Sequence, residues 1–275
     1  TIYESNINVN NNKILPIKHI LSNLDANTTY SYSFIMNKED TFGIFKTLPY
    51  ELNDHDNFII AFGSCMYENG NKLLNEITKI HNIDLFIITG DYFYGDINKN
   101  DTNKYLYWYN KRFNELKHFW SNHNLIYIWD DHDYGKDDSN SNSISRLAAI
   151  EAYRNYLPHY PLSDPYAIYQ SFDIGHHDIK VILSDLRSEA NKTHIMSDKQ
   201  QIWLYNELLD GKLNYKYILW VSSLPYNGGF RNGDAWNNYI EQRQEISNYI
   251  ANNKIDNLLM LSGDAHMLAY DNGQY

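Results

Sequence analysis

The stretch Ile128-Trp129-Asp130-Asp131-His132-Asp133-Tyr134-Gly135-Lys136-Asp137-Asp138 sets five aspartates and one histidine within eleven residues. It begins on the last residue of the apolar run Leu125-Ile126-Tyr127-Ile128. A loop exposed to water carries such residues at no cost. A buried strand that ends beside a cation requires them, because carboxylates in a partly dry place are costly without positive charge among them.

The same arrangement recurs along the chain. Short apolar runs lie at Phe58–Phe62, Leu85–Ile88, Ile179–Leu183, Tyr217–Val221 and Leu258–Leu261, besides Leu125–Ile128. Helical segments are expected between them, at Lys72–His81, Asn103–Ser121, Ser145–Tyr156, Asp198–Leu209 and Asn238–Asn252. Nearly continuous apolar strands alternating with helices predict strands buried on both faces, as in layered α/β folds. Asp137–Ser145 is polar and reads as a loop.

Each run ends in polar residues: "GSC", "TGDYFYGD", "WDDHDYG", "SDLR", "SSLPYNGG" and "SGDAH". In α/β sheets ligands bind beyond the carboxyl ends of strands, so these residues are expected to converge on one site. Taken singly, each has a plainer reading. Asp91 is a turn residue, Cys65 a small buried hydrophobe, Tyr94 a core aromatic, and Asp185 with Arg187 a salt bridge. Taken jointly, six strand ends carrying metal-competent side chains favour a shared metal site.

The chain lacks a Gly-x-Ser-x-Gly elbow, a phosphate-cradling Gly-rich loop ending in Lys-Ser/Thr, and a Gly-x-Gly-x-x-Gly fingerprint. Two divalent or trivalent ions ~3.5–4 Å apart would neutralise the carboxylates and activate a bridging water. Asp91 is the natural bridge between them. Thiolate and phenolate ligands favour a Lewis-acidic transition metal such as iron; hard oxygen ligands suit Ca²⁺, Mg²⁺ or Mn²⁺.

Composition narrows the function classes. The 275 residues, 43% hydrophobic, allow one large domain with or without a small one. A net charge of −11 and the lack of a Lys/Arg cluster argue against a broad nucleic-acid surface. There is no apolar run long enough to span a membrane, and the single cysteine rules out an intrachain disulfide. Residues 1–50 differ from the rest. "KHILSNLDANTTYSYSFIM" and "FGIFKTLP" read as short alternating strands around a turn at Asp25-Ala26-Asn27. They suggest part of a small β-sandwich.

Together "FGSC", "GDYFYGD", "WDDHDYG", "SDLR", "DKQQIWLYNEL" and "SGDAH" resemble the PhoD-like alkaline phosphatase/phosphodiesterase family, in the calcineurin-like metallophosphoesterase superfamily. The segment ending "GIFKTLP" resembles that family's N-terminal β-domain. The resemblance implies a small β-sandwich segment over residues 1–50 and a four-layer α/β/β/α metallophosphoesterase domain over 57–275. It implies Fe³⁺ with Ca²⁺, with Mn²⁺, Mg²⁺ or Zn²⁺ as alternatives, and hydrolysis of phosphomonoesters or phosphodiesters. By position, Cys65 resembles the thiolate ligand, Asp91 the bridging carboxylate and Tyr94 the phenolate ligand. Asp131 stands where the wider superfamily has the asparagine of Gly-Asn-His. His132 is then the histidine that contacts substrate or protonates the leaving group. Asp264 and His266 resemble the last metal-ligand motif, and Arg187 resembles a phosphate-positioning residue. Asp137 and Asn227 are further candidates for metal or substrate.

There are departures. Asp137 replaces an expected asparagine, and only nine residues follow "SGDAH", where family members often continue. These features leave room for a second reading, a non-catalytic Ca²⁺-binding surface or secreted protein on a degenerate phosphatase scaffold. A third reading, activity on lipid phosphodiesters, differs only in substrate. The resemblance implies a secreted, cell-surface or periplasmic location, with a leader outside this chain. Sequons at Asn27, Asn100 and Asn191 are compatible with that route. The residues leave open the mono- versus diester preference and the oligomeric state.

Overall fold

The computed structural model describes residues 18–272, apart from 37–38, 54–56, 68–70, 78, 81–82 and 228–234. The first 17 residues of the expected N-terminal β-segment, and most of the loop after Asn227, lie outside the described residues.

Three sheets are present among them. Strands β1 (Thr29–Met36) and β2 (Glu39–Lys46) form an antiparallel pair. A parallel three-stranded sheet has the order β3 (Ile60–Gly63), β4 (Leu85–Thr89), β5 (Leu125–Ile128). A four-stranded sheet has the order β6 (Gln170–Ile174), β7 (Ile179–Leu183), β8 (Tyr217–Ser222), β9 (Leu258–Ser262). Its strands run parallel except the β6–β7 pair. The connections carry the helices α1 (Asn71–Ile77), α2 (Thr102–Glu115), α3 (Lys117–Trp120), α4 (Asp131–Tyr134), α5 (Arg146–Tyr156), α6 (Asp198–Asn214) and α7 (Ile240–Asn252).

The two larger sheets share one core. Val181, Leu183, Leu219, Val221 and Leu261 pack in the same cluster as Ile88, Ile126 and Ile128 of the three-stranded sheet. The intervening residues Ile182, Ile218 and Trp220 turn to the opposite face, against Leu204 and Leu208 of α6 and Ile246 of α7. That alternation is the two-residue period of a strand buried on both sides. Tyr105 and Tyr109 of α2 and Tyr153 of α5 also join this core. Tyr105 Oη donates to Tyr134 O at 2.6 Å and Tyr153 Oη to Tyr127 O at 2.5 Å, so these rings fill core volume while satisfying buried carbonyls.

The expected strands and helices appear at nearly the expected places, with three differences. Asn103–Ser121 is broken at Leu116 into α2 and α3. The strand β6 lies in a region that carried no apolar run. The Asp25-Ala26-Asn27 turn precedes β1 instead of joining two strands, and residues 18–25 form no strand. Asn27 takes a left-handed φ of 49° there, and its N–H donates to Leu48 O at 3.1 Å. The turn therefore ties the entry of the hairpin to its exit.

The hairpin docks on the connection between α3 and β5: Ile44 N donates to Ser121 O at 3.1 Å and Asn124 Nδ2 to Lys46 O at 2.6 Å. The segment after it is tied to the β6–β7 turn. There Asp178 accepts from Leu52 N at 2.6 Å and pairs with Lys216 at 2.7 Å. Burial alone would raise the Asp178 pKa, but these hydrogen bonds outweigh it and hold the group below its ordinary value.

Gly263, just past β9, sets how closely the sheets meet. A Cβ there would lie 2.3 Å from Thr89 O at the end of β4 and 2.7 Å from Ser64 Cβ beyond β3. Only a residue without a side chain lets the carboxyl ends of the two sheets approach this far. Gly263→Ala is expected to cost about 1–3 kcal/mol through this overlap, read as a lower urea midpoint. Asp178→Asn should cost about 2 kcal/mol near neutral pH. A depressed folded pKa gives stability that is present above the unfolded pKa and lost as pH falls through the folded one. The variant should therefore lose less stability than the parent between neutrality and strong acid, measured by denaturant unfolding at each pH.

Candidate metal centre

The carboxyl ends of β3, β4, β5 and β9 deliver Cys65, Asp91, Asp131 with His132, and His266 to one rim. The backbone there is strained. Cys65, Asp91, Asp96, Asp138, Asp264 and His266 all have left-handed φ, between 44° and 59°. Such conformers of non-glycine residues cost about 1–2 kcal/mol each and persist where the surroundings enforce them, commonly at functional sites. Gly90 (φ 104°) precedes Asp91, and a Cβ there would stand 2.5 Å from Asp130 Cβ. The turns after β4 and β5 thus touch.

Three groups of side chains place their ligand atoms within 4.8 Å of one another: Cys65, Asp91 and His266; Asp91, Asp131 and His132; and Asp131, Asp137 and Asp138. Asp91 belongs to the first two, and Asp131 links the second to the third. Asp91 is 2% exposed, accepts from Cys65 Sγ at 3.6 Å through Oδ2, and has a buried Oδ1 with no hydrogen-bond partner among the described residues.

The local electrostatics oppose ligand-competent forms. Burial, then Asp131, pushes the Asp91 pKa up to about 6, against His132 and Arg187, which pull it down. Burial raises the Cys65 thiol to about 12, and the neighbouring Asp91 adds to the rise. Burial, then Asp91 and Cys65, holds Tyr94 well above its ordinary value. A multivalent cation would reverse all three shifts. The donor set therefore fits a metal. A thiol and an imidazole, Cys65 and His266, join Asp91 in one group, and oxygen donors dominate the groups that share Asp131.

The remaining expected residues are placed as follows. Tyr94 Oη is 3.3 Å from His266 Nε2, and its ring lies 4.5 Å from that of His132. His132 Nδ1 is 2.7 Å from Asp96 Oδ1, and its Nε2 is 3.5 Å from Asp137 Oδ1. Burial lowers the His132 pKa, but Asp96, Asp131 and Asp91 together raise it above its ordinary value. Asp264 stands in the same turn as His266 but outside the three groups. Asn227 is exposed and turned elsewhere, its amide toward Asp271 at 3.4 Å and its oxygen toward Arg243 at 3.4 Å.

Arg187 is packed against carboxylates. It is 2% exposed, and its Nε and Nη2 both reach Asp130 Oδ1, at 2.7 and 2.6 Å, with Asp131 Oδ1 3.6 Å from Nη2. The guanidinium is committed to carboxylates that a buried site must neutralise. Asp185 accepts from the backbone N–H groups of Arg187, Ser188 and Ile168 and from Trp129 Nε1.

Three residues of evident importance were not singled out from sequence. Asp96 orients His132. Asp130 collects Arg187 and Ser223 Oγ, the latter at 2.7 Å. Asp133 accepts from Tyr92 N, Tyr127 Oη and Asp130 N at 3.0, 2.6 and 2.6 Å, which locks α4 to the turn after β4. All three lie inside motifs that the sequence made visible; their individual roles depend on side-chain direction, which spacing does not encode.

Comparison with known proteins agrees with this arrangement. The sequence profile described as PhoD-like phosphatase matches residues 59–273. Alkaline phosphatase D of Bacillus subtilis (strain 168) is 23% identical over 303 aligned positions, covering 88% of this chain and 52% of that protein. The chain thus spans about half the length of that relative. A solved structure of PhoD superposes with a TM-score of 0.74 at 20% identity, covering 88% of this chain and 58% of that one. A purple acid phosphatase from yellow lupin gives 0.61 at 13% identity, covering 90% and 45%. A dimetal phosphatase from Danio rerio gives 0.55 at 12% identity, covering 76% and 82%. With that profile matched over most of its residues, the chain belongs to the PhoD-like phosphatase family.

Proposed function

We propose that this chain is a metal-dependent hydrolase of phosphoesters. One observation carries the reading: the buried carboxylate of Asp91 belongs to two adjacent ligand groups, and its inner oxygen has no protein partner among the described residues. Cys65, His266 and Tyr94 would hold a metal such as Fe³⁺ on one side of Asp91. Asp131, with Asp137 and Asp138, would hold Ca²⁺, or Mn²⁺ or Mg²⁺, on the other. Such a pair supplies Lewis acidity to phosphate oxygens and a water acidified to act as nucleophile.

The protein's own part is positioning and proton transfer. Asp131 is fixed by the Asp138 N–H at 2.7 Å. Arg187 neutralises Asp130 and Asp131 and keeps Asp91 more acidic than burial alone would. Water adds to phosphorus, the bond to the ester oxygen breaks, and the departing alcohol takes a proton from His132. Asp96 holds the Nδ1 side of that imidazole, which leaves Nε2 as the donor.

We read the order helices, three-stranded sheet, four-stranded sheet, helices as a four-layer sandwich, supported by the two-faced burial of β7 and β8. We take residues 57–275 as the hydrolytic domain and residues 1–50 as a small β-sandwich unit, supported by the hairpin β1–β2. An exported location follows from the resemblance. Among the described residues no helix is long and apolar enough to cross a membrane.

The test is hydrolysis of a chromogenic phosphodiester and its monoester at alkaline pH, before and after chelation, with Ca²⁺ and iron added back. Turnover that is lost on chelation and restored by metal is expected. Metal uptake without turnover would favour the Ca²⁺-binding reading instead. Asp91→Asn should lose bound metal and at least ~10²-fold in kcat, by metal analysis and rate. Asp96→Asn should leave metal content unchanged and lower kcat ~10²-fold for alkyl esters, with a smaller loss for nitrophenyl esters, whose leaving group needs no proton. Equal losses on both substrates would exclude His132 as the proton donor.

A further inference from the structure

Arg112 lies on α2, whose helix carries no ligand, yet it is 1% exposed and turned toward the metal centre's loops. Its Nε donates to Tyr92 O at 3.0 Å and its Nη2 to Met66 O at 3.0 Å. Its Nη1 pairs with Glu115 at 2.7 Å, and the guanidinium carbon lies 5.4 Å from the centre of the Tyr92 ring. Met66 follows Cys65 and Tyr92 follows Asp91. Each accepting carbonyl is therefore one residue past a left-handed ligand, with φ of 57° at Cys65 and 51° at Asp91.

The two loops are already laced together, Cys65 N to Gly90 O at 3.3 Å and Met66 N to Asp91 O at 2.8 Å. Those bonds fix the loops to each other but leave the carbonyls of Met66 and Tyr92 to be satisfied. One planar fork meets both and fixes their separation; a lysine ammonium cannot span them with the same geometry. A buried cation is a poor way to gain stability alone, since apolar residues of similar volume commonly do as well or better.

We propose that Arg112 is a positioning residue of the metal centre: it holds the Cys65 loop and the Asp91–Tyr94 loop at the spacing at which thiolate and carboxylate bind one cation. The proposal rests on the metal-dependent reading of the site above.

The experiment uses chelated protein and Co²⁺ as probe, with affinity from chelator competition, the intensity of the thiolate-to-Co²⁺ absorption band, and the melting temperature of the metal-free form. Wild type is compared with Arg112→Lys, Arg112→Met and Glu115→Gln. Both Arg112 variants should bind Co²⁺ ~10–100-fold more weakly, with a diminished thiolate band. Glu115→Gln, which removes the ion pair but keeps both carbonyl contacts, should retain wild-type affinity and band even where its melting temperature falls. Arg112→Lys serves alone if the methionine variant does not fold. Wild-type Co²⁺ affinity and band in folded Arg112→Lys would overturn the proposal. So would a loss of affinity in Glu115→Gln that tracks its melting temperature. A wild-type protein that takes up no Co²⁺ through its thiolate would overturn the metal reading itself and this proposal with it.

Discussion

The closest approach between the two larger sheets governs everything at the site. At Gly263 the end of β9 comes against the backbone of Thr89 and the side chain of Ser64, and at Gly90 the turn after β4 comes against Asp130. Without the Gly263 contact the candidate donors of one sheet would stand apart from those of the other. His266, delivered by β9, would not reach the Cys65–Asp91 pair delivered by β3 and β4. Gly263 joins the two sheets and Gly90 lets the turns after β4 and β5 touch, so the strand ends form one rim with a shared group of donors.

That rim is expensive in free energy. It holds several left-handed residues that are not glycine, carboxylates whose oxygens lie within 4.8 Å of one another, and a thiol whose ionisation is opposed by burial. The costs are offset by buried networks of hydrogen bonds and ion pairs around the rim. Asp133 gathers three donors, and Asp130 gathers Arg187 and Ser223. Asp185 organises the turn after β7 through backbone N–H groups. Strained functional residues of this kind persist only where such neighbours over-determine their conformation.

Much of this was legible in the sequence, because strands buried on both faces leave unbroken apolar runs and their ends leave polar punctuation. Five of the six runs became strands with ends shifted by at most one residue, and the sixth, at Phe58, starts two residues later. The strand β6 escaped because Gln170-Ser171-Phe172-Asp173-Ile174 alternates and is short, the signature of a strand that is half exposed. The turn at Asp25-Ala26-Asn27 has hairpin chemistry, but its N–H is taken by Leu48, far along the chain. The direction in which an expected residue points was less legible than its position. Arg187 stands at the expected strand end but faces Asp130, and Asn227 faces Arg243 and Asp271. Direction is decided by which neighbour needs a charge neutralised, and those neighbours come from distant segments.

The order in which the sheets appear along the chain has a consequence for synthesis. The three-stranded sheet is complete by Ile128, whereas Arg187 and Gly263 emerge much later. A nascent chain that has made the three-stranded sheet and the turn after β5 already carries Asp91, Asp130 and Asp131, with neither the Arg187 guanidinium nor the apolar face of the second sheet to cover them. Burying those carboxylates before that partner arrives is costly, which favours their staying hydrated until then. Arrival of β7 brings the charge that lets Asp130 leave water, and arrival of β9 brings the backbone that closes the rim. Maturation of the centre is therefore a late event in the life of the chain, and the two halves acquire their final burial together.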